Sequence, residues 1–204
     1  MNQKEHWEKV YQSKPATDVS WYKPHLNLSL AWILESAQSK DSRIIDIGGG
    51  SSTLVDDLLR EGYAHVTILD ISQRALKISQ DRLGSRADKV TWIESGVTEA
   101  SLPPGSFDLW HDRAVFHFLT EAGDRNKYVE ILKSTLSRDG YLVMATFGLQ
   151  GPVQCSGLDV VRYSPESLSR ELGGGFALVE TKQERHQTPF GTVQDFIYGL
   201  FKRV

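Results

Sequence analysis

Apolar residues follow two recurring patterns along this chain: short continuous runs, and segments in which they return every three or four positions. The first predicts strands buried on both faces, the second amphipathic helices. Strands are predicted at "RIIDI", "HVTILDI", "KVTWIES", "SFDLWHD" and "YLVMATF". The helices between them are "STLVDDLLREGY" with Gly62 as its C-cap, "QRALKISQDRLG" capped by Ser72, and "DRNKYVEILKSTLS" ended by Asp139-Gly140. Ser164-Pro165 caps the short helix "ESLSREL". "FALVETKQER" and "VQDFIYGLFKR" read as two final strands separated only by the "HQTPFGT" turn, hence an antiparallel hairpin at one end of the sheet. At the amino end, Trp7, Val10 and Tyr11 show helical spacing, "QSKPATDVS" interrupts it, and the period resumes through Leu26, Leu30, Ile33 and Leu34.

Strands alternating with helices predict an α/β fold, a doubly wound and largely parallel sheet with helices on both faces. The length of 204 residues suits one domain, 1–204, with residues 1–40 as an amino-terminal lid and helix and 41–204 as the core. A net charge of −3 gives no general electrostatic reason to expect nucleic acid or an anionic membrane as partner. Cys155 is the single cysteine, which precludes an internal disulfide. With no signal-peptide core and no apolar run of about 18 residues, the expected location is cytoplasmic.

Candidate chemistry concentrates at "IIDIGGGSS", where the first strand runs into three glycines, at the sheet edge where such folds bind ligands. A phosphate-binding P-loop needs a lysine after its second glycine, and none is near. A dinucleotide turn needs a third glycine where Thr53 stands, and Asp46 would repel a pyrophosphate. The same carboxylate suits a cationic ligand. S-adenosyl-L-methionine carries an ammonium and a sulfonium: Asp46 would hold the ammonium, directly or through water, while bare backbone at Gly48, Gly49 and Gly50 approaches the methionine part. The second strand ends in Asp70, twenty residues after Gly50, the spacing of an acid that binds ribose hydroxyls.

These residues resemble the class I S-adenosylmethionine-dependent methyltransferases: "IIDIGGGSS" is similar to the first motif of that family and "VTILDIS" to the second, while "WIESGVTEASLPPGSFDLW" resembles the stretch carrying the third and fourth strands. The resemblance covers essentially the whole chain. It implies a Rossmann-like seven-stranded sheet in the order 3-2-1-4-5-7-6 with strand 7 antiparallel, S-adenosyl-L-methionine as cofactor, and S-adenosyl-L-homocysteine as product. It implies cofactor contacts from Asp70 with Ile71 and from the third-strand end. There the chain departs from the pattern: the aspartate that usually precedes the "V-T" pair and reaches the adenine amino group is replaced by Gly96. Val97 still offers its N–H to the adenine ring, and Glu94 lies two residues earlier on the same face.

The acceptor is expected at the end of the fourth strand. The Asn/Asp-Pro-Pro-aromatic run of exocyclic-amine nucleic-acid methyltransferases is absent there. "HDRAVFHFLTEAGDRNKYV" instead resembles thiopurine methyltransferase and the elongation-factor and citrate-synthase lysine methyltransferases, and "WEKVYQSKPATDVSWY" the lid of the lysine enzymes. Such relatives divide between small-molecule and protein acceptors. His111 would orient an acceptor or act as a base, or else contact the cofactor backbone. Asp112 and Arg113 are expected to pair with each other or with Arg125 or Asp124, and Phe116, His117 and Phe118 to pack the following helix. Trp7, Tyr11, Trp21 and Tyr22 form an aromatic segment in which Trp21 is expected to help roof the cofactor. The loop "GLQGPVQCSGLDVVRYSP" would shape the acceptor pocket. His186 has no obvious partner, and no His/Cys/Asp cluster has metal-ligand spacing, so no metal is expected. A monomer or homodimer is expected. A non-catalytic binding module with this fold is the competing reading, and Thr53 disfavours an oxidoreductase.

Overall fold

The computed structural model describes residues 2–204. Its main sheet contains β1 (Arg43–Ile47), β2 (His65–Asp70), β3 (Val90–Glu94), β4 (Phe107–Arg113), β5 (Leu136–Phe147), β8 (Phe176–Gln187) and β9 (Val193–Arg203). A separate two-stranded ribbon, β6 (Gln154–Cys155) with β7 (Leu158–Asp159), sits in the loop after β5. The sheet order is 3-2-1-4-5-9-8, which is the expected 3-2-1-4-5-7-6 once the ribbon is left out of the count. β9 runs antiparallel to both β5 and β8; the other pairings are parallel.

Side-chain alternation along the strands builds two cores. Ile44, Ile68, Leu109 and Val143 point to one face, where α2 (Asn27–Ser36), α3 (Leu54–Arg60) and α4 (Gln73–Leu83) cover them. Ile45, Leu69, Trp110 and Leu142 point to the other, beneath α5 (Ala122–Thr135) and α6 (Pro165–Leu172). Local signals set most helix ends: Ser72 Oγ accepts from Ala75 N, Ser164 and Ser167 form a reciprocal capping box, and Gly62 follows α3 at φ 88°. One boundary differs from the reading of the sequence. α5 stops at Thr135 and β5 begins at once, so Asp139-Gly140 is a kink inside the strand (Asp139 φ 63°), where the pairing with β4 slips, and it does not end the helix.

α1 (Gln3–Ser13) buries none of its residues fully. It lies across the carboxyl edge of the sheet, tied to the end of β3 by Lys4–Glu94 (2.6 Å) and to α4 by Glu8–Arg74 (3.1 Å). Exposed pairs of this kind contribute about 0–1 kcal/mol each, so α1 is a lightly held cover. Among the described residues no helix is long and apolar enough to cross a membrane.

Candidate active site

β1 ends in a turn that only glycine can make at its first position. Gly48 has φ 66°, in the left-handed region, and its N–H donates to Leu69 O at 2.7 Å, tying the turn to β2. Gly49 passes directly over Asp46; a Cβ there would stand 2.7 Å from the Asp46 carboxyl carbon. Gly50 donates its N–H to Asp70 Oδ2 at 3.0 Å and its carbonyl accepts from Ser79 Oγ. Arg82 of α4 donates to the carbonyls of Ser51 and Ser52 and pairs with Asp56. The turn is thus bolted to β2 on one side and to α4 on the other.

Asp46 and His111 occupy paired positions on β1 and β4, and alternation sends both side chains to the face under α2. His111 Nδ1 lies 2.6 Å from Asp46 Oδ1, and Nε2 lies 2.9 Å from Ser29 Oγ of α2. Asp46 is 2% exposed and His111 1% exposed. Asp46 Oδ2 is buried with no hydrogen-bond partner. A buried carboxylate oxygen left bare is costly unless something donates to it.

Two spaces meet at Trp21, Ile47, Gly48 and Arg113. The smaller, about 40 Å³, is lined by Asp46, His111, Gly49, Trp21 and Tyr22. The larger, about 680 Å³, is lined by Asp70, Ile71, Gly96 and Val97 on one side and by Tyr11, Trp21 and Cys155 on the other. That volume is in the range of small-molecule and cofactor sites. Nine of the ten candidate residues therefore border one space or the other. Gly50 borders neither, and its N–H is taken by Asp70. The side chain of His111 faces the small space, with both ring nitrogens engaged, and does not line the large one.

Asp70 accepts from Gly50 N on Oδ2 and from Ser72 N on Oδ1 (2.8 Å). Burial outweighs these two donors and raises its pKa to about 6. Burial likewise pushes the Cys155 thiol up to about 11, so it is protonated near neutrality and is no ready thiolate ligand.

A family model described as a methyltransferase domain matches residues 44–140, the span from β1 into β5. The chain has the Rossmann-like methyltransferase sheet, and the matched domain covers 97 of its 204 residues. It is 28% identical over 109 residues to the mouse (Mus musculus) eEF1A lysine and N-terminal methyltransferase, a match that spans 53% of this chain and only 15% of that protein. It is 22% identical to the human (Homo sapiens) EEF1A lysine methyltransferase 2, over 87% of this chain and 75% of the relative. In fold it is similar to the N-methyltransferase NodS from Bradyrhizobium japonicum WM9, solved with S-adenosyl-L-homocysteine (TM-score 0.73, 17% identity, covering 96% of this chain and 97% of that one).

Around the site, the side chains depart from several expectations. Asp112 and Arg113 do not pair with each other, nor with Arg125 or Asp124. Asp112 accepts from the Val115 and Phe116 N–H groups and from Tyr128 Oη (2.7 Å), closing the turn after β4. Within that turn Ala114 sits at φ 71°, a strained conformation for a residue with a Cβ, on the wall of the large space. Arg125 instead pairs with Glu171. Arg113 turns the other way, donating to Tyr198 Oη and to Trp21 O, with Glu184 at 3.5 Å. Lys23 pairs with Glu184, and His186, which lies on β8 and not in the hairpin turn, sits with Nε2 2.7 Å from Ser20 O. Residues 20–23 are therefore fastened to the final hairpin at two points, Ser20 to His186 and Lys23 to Glu184, and to β4 at a third, where Arg113 holds Trp21 O. Phe116 and His117 are buried as expected, but Phe118 stacks edge-on with Trp7 (5.1 Å) and lines the large space. Ser29, Ser79, Arg82 and Glu184 carry no local sequence signal; each acts through a partner 29 or more positions away.

Proposed function

We infer that this protein transfers the methyl group of S-adenosyl-L-methionine to a nucleophile on a small molecule or a protein side chain. The observation that carries this reading is Asp46 Oδ2, a buried carboxylate oxygen with no donor, on the wall of the small space that meets the large one at Gly48. The cofactor's ammonium supplies both a charge and N–H donors. The turn beside it has to be bare backbone, because a Cβ at Gly48 would meet Val115 and one at Gly49 would meet Asp46. Asp70 would accept the ribose hydroxyls, and the adenine would lie against Ile71, Gly96 and Val97. When bound, the cofactor supplies an electrophilic methyl group. The chain's own task is to position the acceptor and exclude water, which suits α1 and the fastened Trp21, with residues 1–40 as cover and 41–204 as core. The lysine-methyltransferase relatives support a protein acceptor and the NodS-like fold accommodates a small one; the fourth-strand side of the large space, lined by Ala114, Val115 and Phe118, suits either. The non-catalytic alternative is not favoured, since Asp46, Asp70 and the turn are all intact.

The test is a screen with methyl-labelled S-adenosylmethionine against lysate proteins and against thiol and amine metabolites. Label should move to an acceptor with the wild-type chain and not with Asp46→Ala. Tight cofactor binding with no transfer to any fraction would instead establish the binding module.

Two further outcomes follow from the buried groups. Because both ring nitrogens of His111 are engaged, it acts through Asp46, holding the free oxygen toward the turn. His111→Ala should weaken S-adenosylhomocysteine binding by roughly threefold to tenfold, about 0.7–1.4 kcal/mol, and leave turnover at saturating cofactor near wild type. A collapse of turnover with unchanged affinity would make it the base. For Asp70, the raised pKa means that the folded chain favours the protonated acid: its contribution to stability is present below the ordinary aspartate range and is lost as pH rises through about 6. Cofactor binding runs the opposite way, since ribose hydroxyls need the carboxylate. Affinity for S-adenosylhomocysteine should therefore fall as pH drops through about 6 and flatten in Asp70→Asn, as read by calorimetry between pH 5 and 8.

A further inference from the structure

We propose that Glu99 takes over recognition of the adenine amino group from the side chain that Gly96 lacks. The inference rests on the cofactor reading above. Gly96 has φ −67° and ψ 139°, an ordinary extended conformation open to any residue, so the backbone does not require glycine there. Neither does packing: a Cβ built on Gly96 would find only Ile71 Cδ1 at 3.6 Å and Glu99 Oε2 at 4.0 Å. The missing side chain thus leaves room at the end of β3, and the carboxylate bordering that room belongs to Glu99.

The local turn explains why. Glu99 N donates to Gly96 O at 3.0 Å, closing the 3-10 turn Val97–Glu99 and folding residue 99 back beside residue 96. The carboxylate reaches the space from the far side of the turn, three residues later in the chain. Four acids line the large space, and three are engaged. Asp70 accepts from Gly50 and Ser72, Glu94 is held by Lys4 at 2.6 Å, and Asp124 faces Lys127 at 3.5 Å. Among the described residues the Glu99 carboxylate has no hydrogen bond or ion pair, although it lines the same wall as Val97. Val97 opens the turn, and N–H groups at such a position have no partner within it. An acceptor at Glu99 beside a donor at Val97 matches the amino and ring-nitrogen edge of a 6-aminopurine. A 6-oxopurine presents the reverse pattern and would place its carbonyl against the carboxylate.

The experiment is calorimetric titration of the full chain with S-adenosylhomocysteine and with S-inosylhomocysteine, which differs only in carrying oxygen for the amino group. The wild type should prefer the amino compound by about fivefold or more, the range of a solvent-accessible hydrogen bond to a charged group. Glu99→Ala should lose most of that preference by weakening the amino compound alone. Glu99→Gln, whose amide can donate to a carbonyl, should narrow or reverse it. Gly96→Asp in the Glu99→Ala background should restore it. If the preference is unchanged in both Glu99 variants, or if both ligands weaken equally, the assignment is overturned while the cofactor reading stands. If the wild type binds neither compound, the cofactor reading itself fails.

Discussion

Replacing Asp46 with alanine is expected to weaken S-adenosylhomocysteine binding at least tenfold, about 1.4 kcal/mol, without lowering the melting temperature of the free protein in proportion. The two effects separate because the two carboxylate oxygens do different things. Oδ1 is committed to His111, and Oδ2 has no partner within the protein. An isolated buried acceptor costs stability in the free state and is compensated only when a ligand donates to it. Asp46→Asn is the sharper variant, because it retains an oxygen for His111 while removing the charge that would pair with the cofactor's ammonium. It should lose comparable affinity and melt at or above the wild-type temperature. An Asp46→Asn protein that binds as tightly as wild type would mean that the ammonium lies elsewhere.

Gly50→Ala is expected to damage both binding and folding. The added methyl group would collide with the Asp70 carboxylate and with the Ala75 methyl. The first is fixed by the Gly50 N–H itself and the second belongs to the opening turn of α4, so neither can yield alone. Overpacking of this sort costs about 1–3 kcal/mol, or a fall in melting temperature of roughly 3–10 °C for a chain of this size. Because the displaced group is Asp70, affinity for S-adenosylhomocysteine should drop by about tenfold or more. Ala75→Gly in the same background removes only one collision and should recover stability in part. A Gly50→Ala protein with wild-type melting and wild-type affinity would show that the turn relaxes freely and that its tie to Asp70 does not matter.

Gly50 also shows what could be read in the sequence. The three glycines, the two aspartates and their spacing were visible because they lie on adjacent strand ends and are set by local pattern. What each glycine is for was not visible, since that depends on what passes nearby: Val115 at Gly48, the Asp46 carboxylate at Gly49, and Asp70 with Ala75 at Gly50. The same limit explains Asp112 and Arg113. Their neighbours in sequence suggested a local pairing, but consecutive strand residues point to opposite faces, so one met Tyr128 of α5 and the other met Tyr198 and Glu184 of the hairpin. His111 needed the register of β4 against β1 to find Asp46, and no local period encodes that register. Asp139-Gly140 is a true turn signal whose effect fell inside β5, because Leu136 was already paired with Phe107. Gly96 was legible as a departure. Its compensation at Glu99 depended on a 3-10 turn too short to leave a periodic trace.

The central claim is that the space between Asp46 and Val97 holds S-adenosylmethionine and its product, and titration calorimetry with S-adenosylhomocysteine, run beside NAD, tests it most directly. The account predicts saturable one-to-one binding of S-adenosylhomocysteine well below millimolar concentration, weakened in Asp46→Asn and Asp70→Ala, with no heat from NAD. Absence of S-adenosylhomocysteine binding at millimolar concentration, or equal affinity for NAD, would contradict it.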